Sequence, residues 1–145
     1  MLKLIHSGVS YLVVLLVLFT LVNSFVKLKS KESYKKNDYI IALTTTLLST
    51  IQLILGVFSY YFSTYYQTLR DAGFKVVMKD STLRLYIVEH PLMMLIAITL
   101  IVIGFYKHQK RENDTLKFKT IAWFYGVAFI LILSRIPWEQ WFKSL

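Results

Sequence analysis

Cysteine is absent from the 145 residues. Its absence excludes disulfides, thiolate metal sites, iron–sulfur ligation and covalently attached c-type haem. Histidine, methionine, tyrosine and carboxylates remain as possible metal or cofactor ligands.

Common catalytic motifs are also lacking. The chain has no glycine-rich phosphate loop, no Gly-x-Ser-x-Gly elbow and no His-Glu-x-x-His helix. Its three histidines, His6, His90 and His108, are too scattered for a zinc site by spacing. Since no nucleophile stands beside a base, hydrolase chemistry is not predicted.

Acidic residues are few: 8 Asp and Glu against 17 Lys and Arg, a net charge of +9. The basic residues lie mostly in short segments between apolar blocks, so topology and anionic lipid head groups explain them better than nucleic acid does. The chain is 56% hydrophobic with a mean hydropathy of +0.53, too apolar for a soluble domain. This composition predicts an integral membrane protein whose first partner is the lipid bilayer.

Four apolar segments are each near the twenty or so residues that a spanning helix needs. They cover approximately residues 4–26, 39–63, 85–106 and 118–136. Because backbone polar groups must be satisfied within lipid, these segments are predicted to be helices. The first is predicted to be a retained helix rather than a signal peptide, because it is long and no cleavage site follows it. The prediction is an all-α, four-helix membrane bundle, a single domain over residues 1–145.

The connections at 27–38 and 107–117 hold the densest positive charge. The positive-inside rule puts both in the cytoplasm and both chain termini on the outer side. The connection at 64–84 mixes apolar and basic residues, which is typical of either an amphipathic surface helix or an ordered loop that caps the bundle.

Small and polar residues recur at helical spacing in three of the predicted helices, and such faces turn towards neighbouring helices. They are His6, Ser10, Val13, Val17, Thr20 and Ser24 in the first, Thr45, Ser49, Gln52, Gly56, either Ser59 or Tyr60, and Ser63 in the second, and His90, Met94, Ala97, Ile101 and Gly104 in the third. Gln52 stands out because an amide at mid-membrane needs a partner.

Counting membrane crossings brings His6, His90 and Arg135 to the same outer face, with Glu89 beside them. Two imidazoles facing inward at one depth are what a haem b requires as axial ligands. In this hypothesis Arg135 pairs with a propionate, and Met94, one turn below His90, packs against the macrocycle. Gly56 and Gly104 either admit a flat ring or allow close helix packing.

Other interpretations of these residues are open. His90 with Met93 and Met94 has the donors that Cu(I) prefers. Glu89, Arg135 and Gln52 can instead form a purely structural polar cluster, because an unpaired charge at this depth is expensive. His108, on the opposite face among lysines, is expected to be solvated.

Five stretches that touch all four predicted helices carry a resemblance. They are 6–8 (His-Ser-Gly), 52–56 (Gln-Leu-Ile-Leu-Gly), 79–84 (Lys-Asp-Ser-Thr-Leu-Arg), 89–94 (Glu-His-Pro-Leu-Met-Met) and 135–138 (Arg-Ile-Pro-Trp). With them the chain resembles small four-helix membrane proteins of Bacteroidota that are labelled cytochrome b-like. The resemblance implies a bacterial inner-membrane protein near the respiratory chain. The chain departs from that pattern at Ser10-Tyr11, where the family has Arg-Trp, and at Thr50, where the family has histidine.

Two functional hypotheses follow. In the first, the protein is a cytochrome b-like electron carrier that binds one haem between His6 and His90 and passes electrons between quinone and an external partner. In the second, it is a non-catalytic accessory subunit of a larger membrane complex.

Overall fold

The structure is a computed structural model in which residues 1–143 are described. The elements are α1 (Leu2–Ser30), α2 (Lys36–Tyr61), α3 (Thr64–Ala72), α4 (Phe74–Lys79), α5 (Ser81–Arg84), a π-helical turn (Leu85–Glu89), α6 (His90–Gln109), α7 (Asp114–Arg135) and α8 (Trp138–Lys143). The described residues contain no strand, so the all-α prediction is confirmed for them.

In this described part of the chain, four helical stretches are long and apolar enough to cross a membrane. They are Leu2–Ser30, Lys36–Tyr61, Ser81–Gln109 and Asp114–Arg135. Each contains or closely overlaps one predicted span. The third begins at Ser81 rather than at 85, because α5 and the π-helical turn run into α6 without a break.

Short polar caps fix where several helices begin. Ser63 accepts a hydrogen bond from the Tyr66 amide (3.2 Å), and Asn113 accepts one from the Leu116 amide (3.2 Å). Such caps satisfy amides that have no partner within the helix. Lys31 ends α1 in the left-handed conformation (φ 56°), so the chain reverses direction and enters α2.

The four long helices form a bundle in which α1 packs on α2 and α7, and α6 also packs on α2 and α7. Helices α1 and α6 therefore occupy opposite corners. Helices α6 and α7 pack closely at Gly104, where an added methyl group would overlap the Phe124 side chain. Gly104 is thus a helix-packing glycine.

The inward stripes predicted for α1, α2 and α6 are confirmed in their central parts. Their buried members are Val13, Val17, Thr20 and Ser24 in α1, Thr45, Ser49 and Gln52 in α2, and Ala97, Ile101 and Gly104 in α6. Large apolar side chains between them, such as Leu15 and Ile54, are exposed on the outside of the bundle.

The bundle has two ends, which are named here by residues. At the histidine end lie His6, His90 and Arg135, together with the 64–84 connection. At the tyrosine end lie Tyr34 and His108, with the α1–α2 and α6–α7 connections.

The 64–84 connection, for which a surface helix and a capping loop were both predicted, consists of short helices. In α4, Val77 is fully buried while Phe74, Val76 and Met78 are exposed. Tyr65 of α3 stacks on Tyr86 with ring centroids 4.6 Å apart. The connection therefore combines an apolar outer surface with contacts that hold it against the start of the third spanning stretch.

Candidate functional site

A widened helical turn positions the histidine of α6. Pro91 has no amide hydrogen, so the carbonyl four residues earlier loses its usual partner. The backbone widens into the π-helical turn Leu85–Glu89, and the His90 amide bonds to the Leu85 carbonyl, five residues back. Such turns place residues five apart on one face, which brings Arg84 against Glu89 at 2.9 Å.

The His6 imidazole is held by Gln52 of the neighbouring helix α2. The Gln52 Nε2 amide donates to His6 Nδ1 (3.0 Å) and to the His6 carbonyl (2.8 Å). Both amide hydrogens are then used, and Nδ1 accepts. A neutral His6 therefore carries its proton on Nε2.

Gly56 gives this imidazole its space. A methyl group at Gly56 would lie 3.1 Å from His6 Cε1, closer than ordinary van der Waals contact. Of the two roles predicted for this glycine, the structure shows close packing of α1 on α2 through the His6 imidazole; admission of a haem ring stays a prediction.

The His90 imidazole carries its proton on the other ring nitrogen. Its Nδ1 lies 2.8 Å from the Arg135 carbonyl of α7. A carbonyl only accepts, so His90 Nδ1 carries the proton and, in the neutral ring, Nε2 is a free acceptor. His6 thus offers a donor nitrogen and His90 an acceptor nitrogen at the same end of the bundle.

The two imidazoles meet across the diagonal of the bundle, with ring centroids 6.5 Å apart and ring planes at 83°. The two side chains therefore lie close together at one end of the bundle, and their depth in a membrane stays a prediction. Together with Gln52 and the Arg135 carbonyl, they connect α1 to α2 and α6 to α7.

A haem does not fit this arrangement of donors. An axial histidine binds iron through an unprotonated nitrogen and donates with the other nitrogen. His90 meets that pattern, but His6 does not, because Gln52 occupies Nδ1 as a donor and leaves the proton on Nε2. The His6 ring also fills the space beside Gly56. Haem ligation by His6 and His90 stays a prediction that requires Gln52 to move away.

Arg135 and Glu89 come together as predicted, but on the surface of the histidine end rather than inside it. Arg135 Nε lies 3.3 Å from Glu89 Oε2, and the Arg135 side chain is 42% exposed. The contact is an ion pair without hydrogen-bond geometry, since Arg135 Nε has no hydrogen-bond partner among residues 1–143. Glu89 also binds Arg84, so the carboxylate is shared by two cations.

The methionines of the predicted site are partly buried apolar side chains of α6. Met94 is half-buried and packs against the hydrophobic core of the bundle, and Met93 is half-buried one residue earlier. Within residues 1–143, no three His, Asp or Glu side chains are grouped as they would be around a metal ion. A copper site at His90, Met93 and Met94 stays a prediction.

The expectation that His108 is solvated is wrong. His108 is 1% exposed, its Nδ1 donates to the Phe105 carbonyl, and its Nε2 lies 2.9 Å from the Tyr34 hydroxyl. Burial, with the nearby Asp38 carboxylate, raises the pKa of Tyr34, so the phenol stays protonated and donates. The connection after α1 folds Tyr34 over the bundle end, a contact that helix periodicity cannot reveal.

A polar cluster at the tyrosine end was not anticipated. Asp38 is 3% exposed and accepts from Lys27 (2.7 Å), from Asn23 (2.9 Å) and from the Lys35 amide (2.8 Å). The sequence feature that could have indicated this cluster is Asp38 itself, a single carboxylate in the first turn of α2 next to a basic connection.

Fold and site together define a class: an all-helical bundle with four apolar helical stretches in its described residues and an imidazole pair at one end. No family model, curated protein or solved structure matches the chain. The resemblance to cytochrome b-like membrane proteins stays a prediction.

Proposed function

We propose that the chain is a multi-pass protein of a bacterial inner membrane, with both termini on the outer side. Four long apolar helices with exposed leucine, isoleucine and phenylalanine side chains support insertion. The lysines of the α1–α2 and α6–α7 connections, all at the tyrosine end, support a cytoplasmic location for that end.

Because the chain has no cysteine, single cysteines test this topology without background labelling. Ser33 and Ser134 are exposed serines at opposite ends of the bundle. We expect a membrane-impermeant maleimide to label Ser134→Cys on intact spheroplasts and to label Ser33→Cys only after lysis. The reverse pattern would place the histidine end in the cytoplasm.

Within that membrane, we propose that the protein is a non-catalytic accessory subunit of a larger complex. The observation that carries this proposal is that Gln52 holds His6 with its proton on Nε2, so that of the two imidazoles only His90 keeps a nitrogen free for a metal. His6 is bound by Gln52, and His90 by the Arg135 carbonyl. These hydrogen bonds at the histidine end join α1 to α2 and α6 to α7. The long apolar outer faces of the helices are available to neighbouring membrane proteins.

The test is the absorption spectrum and native size of the protein extracted in mild detergent. We expect no b-type band in a reduced-minus-oxidised spectrum, even after haem supplementation. We also expect the chain to migrate in a native gel with an assembly larger than itself. His6→Ala and His90→Ala should lower the melting temperature, because each leaves a polar partner unsatisfied.

The matched control is His108→Ala, which removes a buried imidazole at the other end of the bundle. A b-type band that disappears in the His6 and His90 variants but survives in the His108 variant would overturn the subunit proposal and favour the electron carrier. A chain that migrates alone would also contradict the subunit proposal.

A further inference from the structure

A shallow apolar groove lies between α1 and α7, towards the tyrosine end of the bundle. Its volume is about 400 Å³, and it is lined by Phe25, Leu28, Lys119, Ala122 and Trp123. That volume falls within the roughly 300–1,000 Å³ that is typical of ligand sites. Lys119 is the one charged residue of these five, so an occupant of the groove meets a single cation and otherwise apolar side chains.

Helical spacing builds the two walls of the groove. Phe25 and Leu28 are three residues apart near the end of α1, and Lys119 and Trp123 are four residues apart near the start of α7. Residues at these spacings lie on one face of a helix. Between the walls, the small side chain of Ala122 leaves space over a nearly buried floor.

Two polar groups on the α7 wall have no partner in the described protein. None of the ion pairs among residues 1–143 involves Lys119, whose side chain is exposed. Trp123 is 71% exposed, and its indole N–H makes no hydrogen bond within the same residues, whereas Trp138 donates its own to the Leu133 carbonyl. The groove therefore offers a cation and an N–H donor to a ligand.

The spacing of these two groups along α7 suits a phospholipid. Trp123 follows Lys119 by four residues, so it lies about 6 Å further from the tyrosine end at 1.5 Å per residue. Side chains on a helix lean towards its N-terminus, which for α7 is the tyrosine end, so the lysine stem leads outwards. In a bilayer the ammonium group then reaches the phosphates, and the indole lies just below them, where tryptophan is enriched.

The charge around the groove favours an anionic lipid. Residues 27–38 and 107–119, which surround this end of the bundle, contain ten lysines and arginines and four aspartates and glutamates. Basic pockets between membrane helices on the cytoplasmic side are typical sites for anionic head groups. A helix from another protein would need an acidic residue at this depth to pair with Lys119, and such residues are rare within membranes because they are expensive there.

We propose that the groove binds one anionic phospholipid from the bilayer. Its phosphate pairs with Lys119, an ester carbonyl accepts from the Trp123 N–H, and one acyl chain lies between the Phe25 and Trp123 rings. This binding rests on the proposed insertion into a membrane. It depends neither on the direction of insertion nor on the accessory-subunit role.

Quenching of tryptophan fluorescence by brominated lipids tests the site. The full chain is reconstituted in phosphatidylcholine vesicles that contain a small fraction of lipid brominated in its acyl chains, either phosphatidylglycerol or phosphatidylcholine. The Trp123 signal is the difference between wild type and Trp123→Phe, since Trp138 and Trp141 at the histidine end are common to both. We expect brominated phosphatidylglycerol to quench Trp123 at a lower fraction than brominated phosphatidylcholine does.

Three variants locate the source of that preference. Lys119→Gln should lower the preference about fivefold, the factor that corresponds to about 1 kcal/mol for one basic residue near an anionic surface. Lys119→Arg retains the charge and should retain the preference. The matched control is Lys110→Gln, which removes an exposed cation from the same end but outside the groove, and it should behave like wild type.

Equal quenching of wild-type Trp123 by the two brominated lipids would overturn the lipid site and leave the groove to a neighbouring protein. Equal losses in Lys119→Gln and Lys110→Gln would also overturn it, because the preference would then come from the charge of the whole end. Membrane insertion is tested in the same samples. If neither lipid quenched Trp123, insertion itself would be contradicted together with the site.

Discussion

Replacing Asp38 by alanine removes the centre of the polar cluster at the tyrosine end. The carboxylate is buried and accepts three hydrogen bonds or ion-pair contacts of 2.7–2.9 Å, from Lys27, Asn23 and the Lys35 amide. The Lys27 side chain is only 17% exposed, and its other carboxylate, Glu32, is 4.0 Å away. Alanine therefore leaves a largely buried ammonium group with one weak partner.

The magnitude follows from these contacts. Removing one partner of a buried ion pair costs about 3–5 kcal/mol. Water reaches part of Lys27, so we expect a loss near the lower limit, about 3 kcal/mol. For a chain of this length, a change of that size lowers the melting temperature by roughly 10 °C.

Asp114→Ala is the matched control, because Asp114 is also an acid in the first turn of a long helix at the same end. Its pair with Lys117 is 3.8 Å long and 42% exposed on the carboxylate side, so the expected cost is about 0–1 kcal/mol. Both acids interact with a helix dipole, and that contribution cancels in the comparison.

The assay is thermal unfolding in one detergent, followed by circular dichroism, at low and at high salt. The Asp38→Ala deficit should persist at high salt, since buried pairs are screened little, whereas any Asp114→Ala deficit should vanish. Two variants that melt within about 2 °C of each other, well under the difference that about 3 kcal/mol implies, would refute the reasoning.

Two further comparisons test the packing at other places. Arg135→Leu should destabilise the protein by about 1 kcal/mol, since Glu89 still has its ion pair with Arg84. Lys110→Leu, on the solvated connection, should change the stability little. Equal melting temperatures of the two variants would count against the Glu89–Arg135 contact. Gly104→Ala should cost about 1–3 kcal/mol, because the added methyl overlaps Phe124. Gly8→Ala meets nothing within 4 Å and should be neutral or stabilising, so a harmless Gly104→Ala would contradict the close α6–α7 packing.

The sequence predicted the level at which most residues of the candidate site lie along their helices, but not which of their atoms are in contact. Counting membrane crossings placed His6, His90 and Arg135 at one level, because depth depends only on the rise per residue and on the direction of each helix. Which atoms meet depends on helix rotation and neighbour order. Those are set by side-chain packing over the whole bundle, such as the close approach at Gly104.

The sequence by itself determined the long apolar helices and their inward stripes, because hydropathy and the 3.6-residue period are local properties. Tertiary structure alone decided that α1 and α6 face each other across the diagonal, that Gln52 fixes the proton of His6, and that Tyr34 covers His108. These contacts join residues more than forty positions apart, as between His6 and Gln52, and no local pattern encodes such a pairing.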